Sequence, residues 1–232
     1  MILVMNKIKV DIDEILINDN NPFYLKIEKE RKYNLIVQEN VHCKLIIVGY
    51  SNYDMNINLK RNSQLIVNSL NINNNANVLV NLEEFSKVIY NHSVISQNNS
   101  VNKFTINHNN DNTESILNNN GINILDNKLY FSIDGVIPLG KKNIICNQNS
   151  KIINISNGDS KIIPNLIIDS DDIVANHSAY IGKIDDDIKM YFQTRGISNK
   201  GIESLIYKAL LLNKMDLSIE KEEFNQIINE WW

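Results

Sequence analysis

The chain contains three similar short apolar runs: Tyr33-Asn-Leu-Ile-Val37, Met55-Asn-Ile-Asn-Leu59 and Asn77-Val-Leu-Val-Asn81. Their centres, Leu35, Ile57 and Leu79, follow each other at intervals of 22 residues. A short run of apolar and β-branched residues bounded by polar clusters is typical of a β-strand. The equal spacing therefore predicts that the three strands stack in one ladder.

A second series of strand-like runs is offset from the first. It consists of Lys44-Leu-Ile-Ile-Val48, Gln64-Leu-Ile-Val67 and Lys87-Val-Ile-Tyr90. Leu45, Leu65 and Val88 in these runs are 20 and 23 residues apart. Two offset series with a common period indicate a β-solenoid, because each turn buries its apolar face only by stacking on the next.

Two other folds with short strands or short repeats fit the pattern less well. A leucine-rich repeat requires a Leu-x-x-Leu-x-Leu frame, which is absent. A β-sandwich would not produce two offset series with one period. The many asparagines are interleaved with apolar residues, and asparagine suits solenoid corners because it tolerates the left-handed conformation.

The pattern changes near residue 184, so we divide the chain into a β body, residues 1–184, and a helical subdomain, residues 185–232. Asp185, Ser198 and Ser218 are predicted to cap three helices, the first ending at Gly196. The second helix has an apolar stripe of Ile202, Leu205, Ile206, Ala209 and Leu210. The third has a stripe of Phe224, Ile227, Ile228 and Trp231. The fold class is mainly β with a small C-terminal α-helical part.

Composition excludes several classes of partner. The chain has a net charge of −4 and no basic stripe with interleaved aromatic residues, so it is not predicted to bind nucleic acid. No apolar run is long enough to span a bilayer, and we predict no membrane association. The N-terminal residues lack the pattern of a signal peptide. These features predict a cytoplasmic location.

The chain lacks the motifs of common catalytic sites, including a nucleophile elbow, a phosphate loop and a His–Glu metal helix. Cys43 and Cys146 are far apart in the sequence and are predicted to be buried, reduced thiols. Asp169, Asp171 and Asp172 could form the carboxylate cluster of a polysaccharide-cleaving β-helix, but aspartate also favours tight turns. We therefore predict a protein that is not an enzyme.

One stretch, from Pro164 to Ser198, carries an ordered series of distinctive residues. It resembles the C-terminal signature of the SufB/SufD family of iron–sulfur cluster assembly scaffolds, roughly P-x-L-x-I-x-x-D-D-V-x-C-x-H-G-A-x-x-G-x-I-D followed by F-Y-L-x-S-R-G-I-S. The matching positions are Pro164, Leu166, Ile168, Asp171, Asp172, Ile173, His177, Ala179, Gly182, Ile184, Asp185, Arg195, Gly196, Ile197 and Ser198. The resemblance extends from about residue 100 to about residue 215.

The resemblance implies a right-handed parallel β-helix, in agreement with the solenoid that the repeat predicts. It also implies a scaffold subunit of the SUF system, which pairs with a SufB-like subunit and the SufC ABC ATPase in a SufBCD complex. The helical tail is the ATPase-docking part in the family. No cofactor is expected to remain bound to this chain alone, and an Fe–S cluster would be transient in the complex.

Four residues are candidates for functional roles. His177 is expected to ligate iron at the cluster-assembly interface, because a neutral imidazole binds metal through one ring nitrogen. The alternative is a structural histidine that holds the turn into the first helix. Asp171, Asp172 and Asp185 surround it in the sequence. Leu211, Leu212 and Met215 extend beyond the apolar stripe and are predicted to contact the ATPase.

A departure from the family signature favours one branch of the family. The cysteine that often precedes the histidine by two residues is Ala175 here. Because SufB-type subunits carry the cysteines that start a cluster, the chain is identified as SufD-like. Two alternatives stay open: a homodimeric SufB/SufD-like scaffold that works with an ABC-type ATPase, and a secreted carbohydrate-active β-helix.

Overall fold

The computed structural model describes residues 6–7, 13–215, 217 and 221–231 of the chain. Within them, fifteen strands form two parallel sheets. The eight-stranded sheet contains β1 (Asn6–Lys7), β3 (Phe23–Ile27), β5 (His42–Gly49), β7 (Gln64–Ile72), β9 (Lys87–Ser96), β11 (Glu114–Asn123), β13 (Lys142–Asn154) and β15 (Asp172–Gly182). The seven-stranded sheet contains β2 (Glu14–Ile17), β4 (Arg31–Val37), β6 (Tyr53–Leu59), β8 (Ala76–Leu82), β10 (Ser100–His108), β12 (Lys128–Ile137) and β14 (Asp159–Ile168).

Consecutive strands alternate between the two sheets, and each strand inside a sheet pairs in parallel with the strand one turn earlier and the strand one turn later. This is a β-solenoid, so the fold predicted from the repeat is confirmed. Most apolar side chains that point inward from both sheets form one core, and Ile137, Ile144 and Cys146 form a smaller cluster near the last turn. The long parallel ladders satisfy the backbone polar groups of that core.

Asparagine occupies most of the corner positions that need a left-handed backbone. The described non-glycine residues with φ between 54° and 65° are Asn40, Asn62, Asn73, Phe85, Asn112, Asn143 and Lys214. Asn62 donates from Nδ2 to Oδ1 of Asn40 at 2.7 Å, and Asn143 donates to Asn112 at 3.0 Å. The predicted use of asparagine at corners is therefore confirmed, and successive corners also bond to each other.

The predicted ladder of Leu35, Ile57 and Leu79 is correct for its first two members and wrong for the third. Leu35 pairs with Ile57, and Ile57 pairs with Val80. Leu79 pairs with Asn56 instead, and its side chain is 37% exposed. The second turn is one residue longer than the first, and a one-residue change in register moves a side chain to the opposite face of the strand.

The second predicted series is also shifted in part. Leu65 pairs with Val88 as expected, but Leu45 pairs with Val67. Both leucines still point inward and are fully buried. A shift of two residues leaves the side chain on the same face, so this difference does not alter the core.

Two histidines are buried inside the solenoid. His92 lies 3.0 Å from Ser69 Oγ through Nδ1 and packs against the ring of Phe104 at 5.0 Å. His108 contacts Thr113 Oγ1 at 2.7 Å and Ser115 Oγ at 2.9 Å. Burial lowers the pKa of His92 to about 3 and the pKa of His108 to about 4. Both rings are therefore neutral in the folded protein at neutral pH.

Because burial lowers the pKa values of both histidines, we expect acid to destabilise the fold. Both pKa values are lower in the folded chain than the value near 6.5 of an unfolded chain, so protonation favours unfolding. Their contribution is complete above about pH 6.5 and falls by roughly 1.4 kcal/mol per histidine per pH unit below it. We expect the free energy of unfolding, measured by urea denaturation, to be roughly 4 kcal/mol lower at pH 5 than at pH 7. The variant His92→Gln should show about half of this pH dependence, and equal stability at the two pH values would contradict the prediction.

The three described helices follow β15. They are α1 (Asp186–Gln193), α2 (Asn199–Leu211) and α3 (Lys221–Asn229). Asp185 accepts a hydrogen bond from the backbone N–H of Asp187, and Ser198 accepts one from Gly201, so both predicted caps are confirmed. Gly196 has the predicted left-handed conformation, with φ of 79°. Ser218 lies outside the described residues.

Helices α2 and α3 pack on the outer face of the eight-stranded sheet. Their buried side chains are Ile202, Tyr207, Leu210, Leu211, Phe224, Ile227 and Ile228. They cover a column of sheet residues that includes Ile72, Ile95, Ile122 and Ile153. The Tyr24 hydroxyl donates to Glu223 at 2.6 Å and connects α3 to β3. The stripe predicted for α3 is confirmed, but Leu205 in the stripe predicted for α2 is 50% exposed.

Candidate partner interface at the open end of the solenoid

Strands β14 and β15 form the last turn of the described solenoid. Strand β14 pairs only with β12, and β15 pairs only with β13, among the strands that the structure describes. The other backbone edge of each strand is therefore not paired within this part of the chain. An unpaired sheet edge is a template for strand pairing with another chain.

The inner face of this last turn is incompletely covered. Leu166, Ile168, Ile173 and Ala175 are only partly buried, and they pack against Ile137, Ile144 and Cys146 of the preceding turn. Other apolar side chains of β14 and β15 are exposed: Ile167 is 51% exposed, Val174 56%, Tyr180 51% and Ile181 41%. Ile181 points inward, in register with Ile152, whereas Ile167, Val174 and Tyr180 point to the outer faces of the two sheets. Exposed apolar side chains at an unpaired edge are typical of a contact site.

His177 is the last member of an inward-facing ladder. The ladder continues from Leu45 through Val67, Tyr90, Leu117 and Gln148 to His177. Every earlier member is buried, but His177 is exposed because no further described turn covers it. The small side chains of Ala175 and Ala179 lie on the same face of the strand on either side of it. The imidazole is therefore accessible at the open end.

The acidic residues near His177 in the sequence do not converge on it. Asp172 and His177 are both in β15, and five residues of extended strand separate them by about 16 Å. Asp185 lies beyond the end of β15 and caps α1. Within the described part of the chain, no group of three or more His, Cys, Asp or Glu side chains is arranged to hold a metal ion.

Cys146 lies one solenoid turn before Ala175, the residue that occupies the position of the cysteine in the family signature. It pairs with Ala175 in the neighbouring strand, and it belongs to the same ladder as Cys43. Both cysteines are free and buried, as predicted. Burial raises the pKa of both thiols, to about 12 for Cys43. Sequence reasoning could not find the pairing with Ala175, because the lengths of the intervening turns vary.

The residues predicted to contact the ATPase lie mainly against the solenoid. Leu211 is fully buried between α2 and the sheet. Leu212 and Met215 are partly buried against the same cluster. The apolar residues beyond the predicted stripe are thus used by the fold itself, because the helix presents a different face to the sheet than the stripe suggested. The burial of Leu211 argues against a direct contact with a partner.

Other apolar residues of the tail are exposed instead. Helix α1 has no buried residue. Ile188 is 46% exposed, Met190 59% and Tyr191 53%, and Leu205 of the neighbouring α2 is 50% exposed. The guanidinium of Arg195 lies over the Tyr191 ring at 4.6 Å. Sequence reasoning did not predict this surface, because the apolar periodicity of a helix does not show whether its apolar face is covered by the rest of the protein.

No described helix has the length and apolar character required to cross a membrane. Asp169 and Asp171 lie in the connection between β14 and β15, which agrees with the turn interpretation of this acidic group.

Comparison with known proteins identifies the family. The family described as "SUF system FeS cluster assembly, SufBD core domain" matches residues 35–210, which include most of the solenoid and nearly all of α2. A comparison with curated proteins returned no match. Members of the SufBD family are scaffold components that act in the SUF complex with other Suf proteins. The chain therefore belongs to the SufBD core-domain family and has a role in iron–sulfur cluster assembly by the SUF system.

Proposed function

We propose that the chain is a SufD-like scaffold subunit that pairs with a SufB-like subunit through the open end of the solenoid. The observation that carries this proposal is the accessible His177 on the inner face of an uncovered last turn. Two unpaired strand edges and the exposed apolar residues Val174 and Ile181 support an interface at the same place.

In this proposal the Fe–S cluster is a product that is built at the interface and then released. His177 supplies a nitrogen ligand to iron, and the partner subunit supplies the remaining ligands. Ala175 in place of the family cysteine favours the SufD-like role, because the thiol next in the ladder, Cys146, is fully buried. The chain alone is then expected to hold no stable cluster. A cytoplasmic location remains part of the proposal.

We propose that the ATPase contacts the exposed apolar residues of α1 and the middle of α2, which are Ile188, Met190, Tyr191 and Leu205. This surface replaces Leu211, Leu212 and Met215 as the candidate. Its side chains are about half exposed, whereas Leu211 already has a place in the core. Residues 185–232 thus serve both as a cover for one sheet and as the docking part of the proposed complex.

Co-purification tests this assignment. The double variant Met190→Asp and Tyr191→Asp should abolish capture of a SufC-type ATPase by the tagged chain, because two charges would be placed in an apolar contact. Thermal unfolding should change little, because both residues are exposed. The variant Leu211→Asp is the comparison, and it should lower the stability of the fold by about 3–5 kcal/mol because a charge is buried without a partner. Unchanged ATPase capture by the double variant would contradict the docking surface.

The homodimeric alternative uses the same open end. Two copies could pair edge to edge about a two-fold axis, with each copy contributing its own β14 and β15. Sedimentation of the chain alone separates the two proposals, since a stable dimer favours the homodimer and a monomer favours a separate SufB-like partner. The carbohydrate-active alternative is not retained, because the chain belongs to the SufBD family.

A further inference from the structure

A polar groove lies on the outer face of the eight-stranded sheet, beside the part that α2 and α3 cover. Two adjoining cavities of about 350 and about 400 Å³ form it, and both are lined by Asn118, Asn149 and Lys214. Ser178 and Tyr180 of β15 and Lys151 of β13 also line the first cavity. Cavities of this size admit a small organic molecule.

The floor of the groove is a ladder of side-chain amides. Asn91 donates to Asn68 at 2.9 Å, Asn118 donates to Asn91 at 2.8 Å, and Asn149 donates to Asn118 at 3.2 Å. The Ser178 hydroxyl donates to Asn149 Oδ1 at 2.9 Å. Asn91, Asn118 and Asn149 each donate one of their two amide N–H groups within this ladder, and Asn68 accepts. The ladder fixes the orientation of the amides, so they are preorganised for a ligand.

Two lysines give the groove a positive character. Lys151 is held over the Tyr180 ring, with Nζ 5.0 Å from the ring centroid. Lys214 comes from the turn that follows α2 and lines both cavities. None of the described residues that line the two cavities is acidic. A local pair of cations on a chain of net charge −4 favours an anionic ligand.

The backbone at Lys214 is the second unusual feature. Its φ is 65°, in the left-handed region. Five of the other six described non-glycine residues with this conformation are asparagines. A lysine is less suited to this conformation than glycine or asparagine. A residue held in an unfavourable conformation beside a cavity is consistent with a function for its side chain.

We propose that this groove binds a small anion that carries phosphate groups. Lys151 and Lys214 act as point charges, which suits phosphate, and the amides of Asn118 and Asn149 add neutral donors. The groove is separate from His177, which lies on the opposite, inward face of β15, so this inference goes beyond the proposed scaffold function.

Calorimetric titration of the chain with pyrophosphate tests the proposal. We expect saturable binding that weakens as salt rises. Lys214→Gly and Lys151→Ala should each weaken it about tenfold, the order expected for the loss of one charge-assisted hydrogen bond. Lys214→Gly also keeps the left-handed turn without strain, so its thermal stability should be equal or higher. If Lys214→Gly proves less stable than the unmodified chain, the titration of Lys151→Ala with pyrophosphate tests the site instead.

The matched control is Lys103→Ala, which removes the same charge from an exposed position on the seven-stranded sheet and should leave the affinity unchanged. Three results would overturn the proposal: no saturable binding by the unmodified chain, equal weakening by Lys103→Ala, or binding of acetate as tight as that of pyrophosphate. The titration requires neither a partner subunit nor a cluster, so its failure is distinct from failure of the scaffold function.

Discussion

The variant Ala179→Lys is expected to abolish pairing with a SufB-like subunit while the chain itself stays folded. Ala179 is exposed and lies on the inward face of the last turn, in register with Ser150 of β13. In the proposed complex this position is covered by the partner, so a lysine there would be buried without a counter-charge. An inward-pointing charge on an edge strand is also a natural means of blocking strand pairing. The affinity should fall by about 100-fold or more.

Binding of the purified subunits, followed by biolayer interferometry, measures this effect. The control is Asn176→Lys, which introduces the same charge on the outward face of the same strand. It should retain most of the binding if the partner meets the open end of the solenoid. Equal loss with both variants would indicate an unspecific charge effect, and normal binding by Ala179→Lys would exclude the proposed interface.

The variant His177→Ala is expected to lose cluster formation in the assembled complex while assembly and ATPase docking remain normal. The imidazole is exposed at the open end, and its removal leaves the buried ladder below it intact. Mutation of residues that only orient the ligands of a metal site typically costs roughly 10–100-fold in metal affinity or activity. Loss of a direct ligand should therefore reduce cluster yield by at least this factor. His177→Cys, which replaces one iron ligand by another, should restore part of the yield.

Iron and sulfide content and the visible absorbance of the reconstituted complex measure the yield. The complex without mutation and the complex with Asn176→Ala, an outward change on the same strand, are the references. A normal yield from His177→Ala would remove the chemical role of His177 and leave the structural alternative. Loss of assembly in this variant would instead show that the histidine holds the interface together.

Repetition in the sequence was sufficient to predict the solenoid. Each turn contributes alternating apolar residues that are buried only when turns stack on one another. This requirement holds for any register between neighbouring strands. The register was less predictable, because turns differ in length by one or more residues. Leu79 shows the consequence: it fits the apparent period but lies on the outer face, and Val80 takes its place in the core.

The candidate site was predictable in part. The resemblance identified His177, but its accessibility depends on β15 being the last described strand of its sheet. The position of Cys146 below Ala175 depends on strand pairing over 29 residues. The polar groove was not predicted at all, because it is formed by residues from four strands and a turn of the tail.

The sequence by itself determined the strand period, the asparagine corners, two helix caps and the family. These features depend on local conformational preferences or on residues close together in the chain. Only the tertiary structure decided which face of α2 is buried, because that helix has more apolar residues than one stripe needs, and periodicity alone does not select among them. Contact with Ile95 and Ile122 of the sheet selects the face with Leu211 and leaves Leu205 exposed. Burial against a distant surface, and not local periodicity, therefore determines which tail residues remain available to a partner.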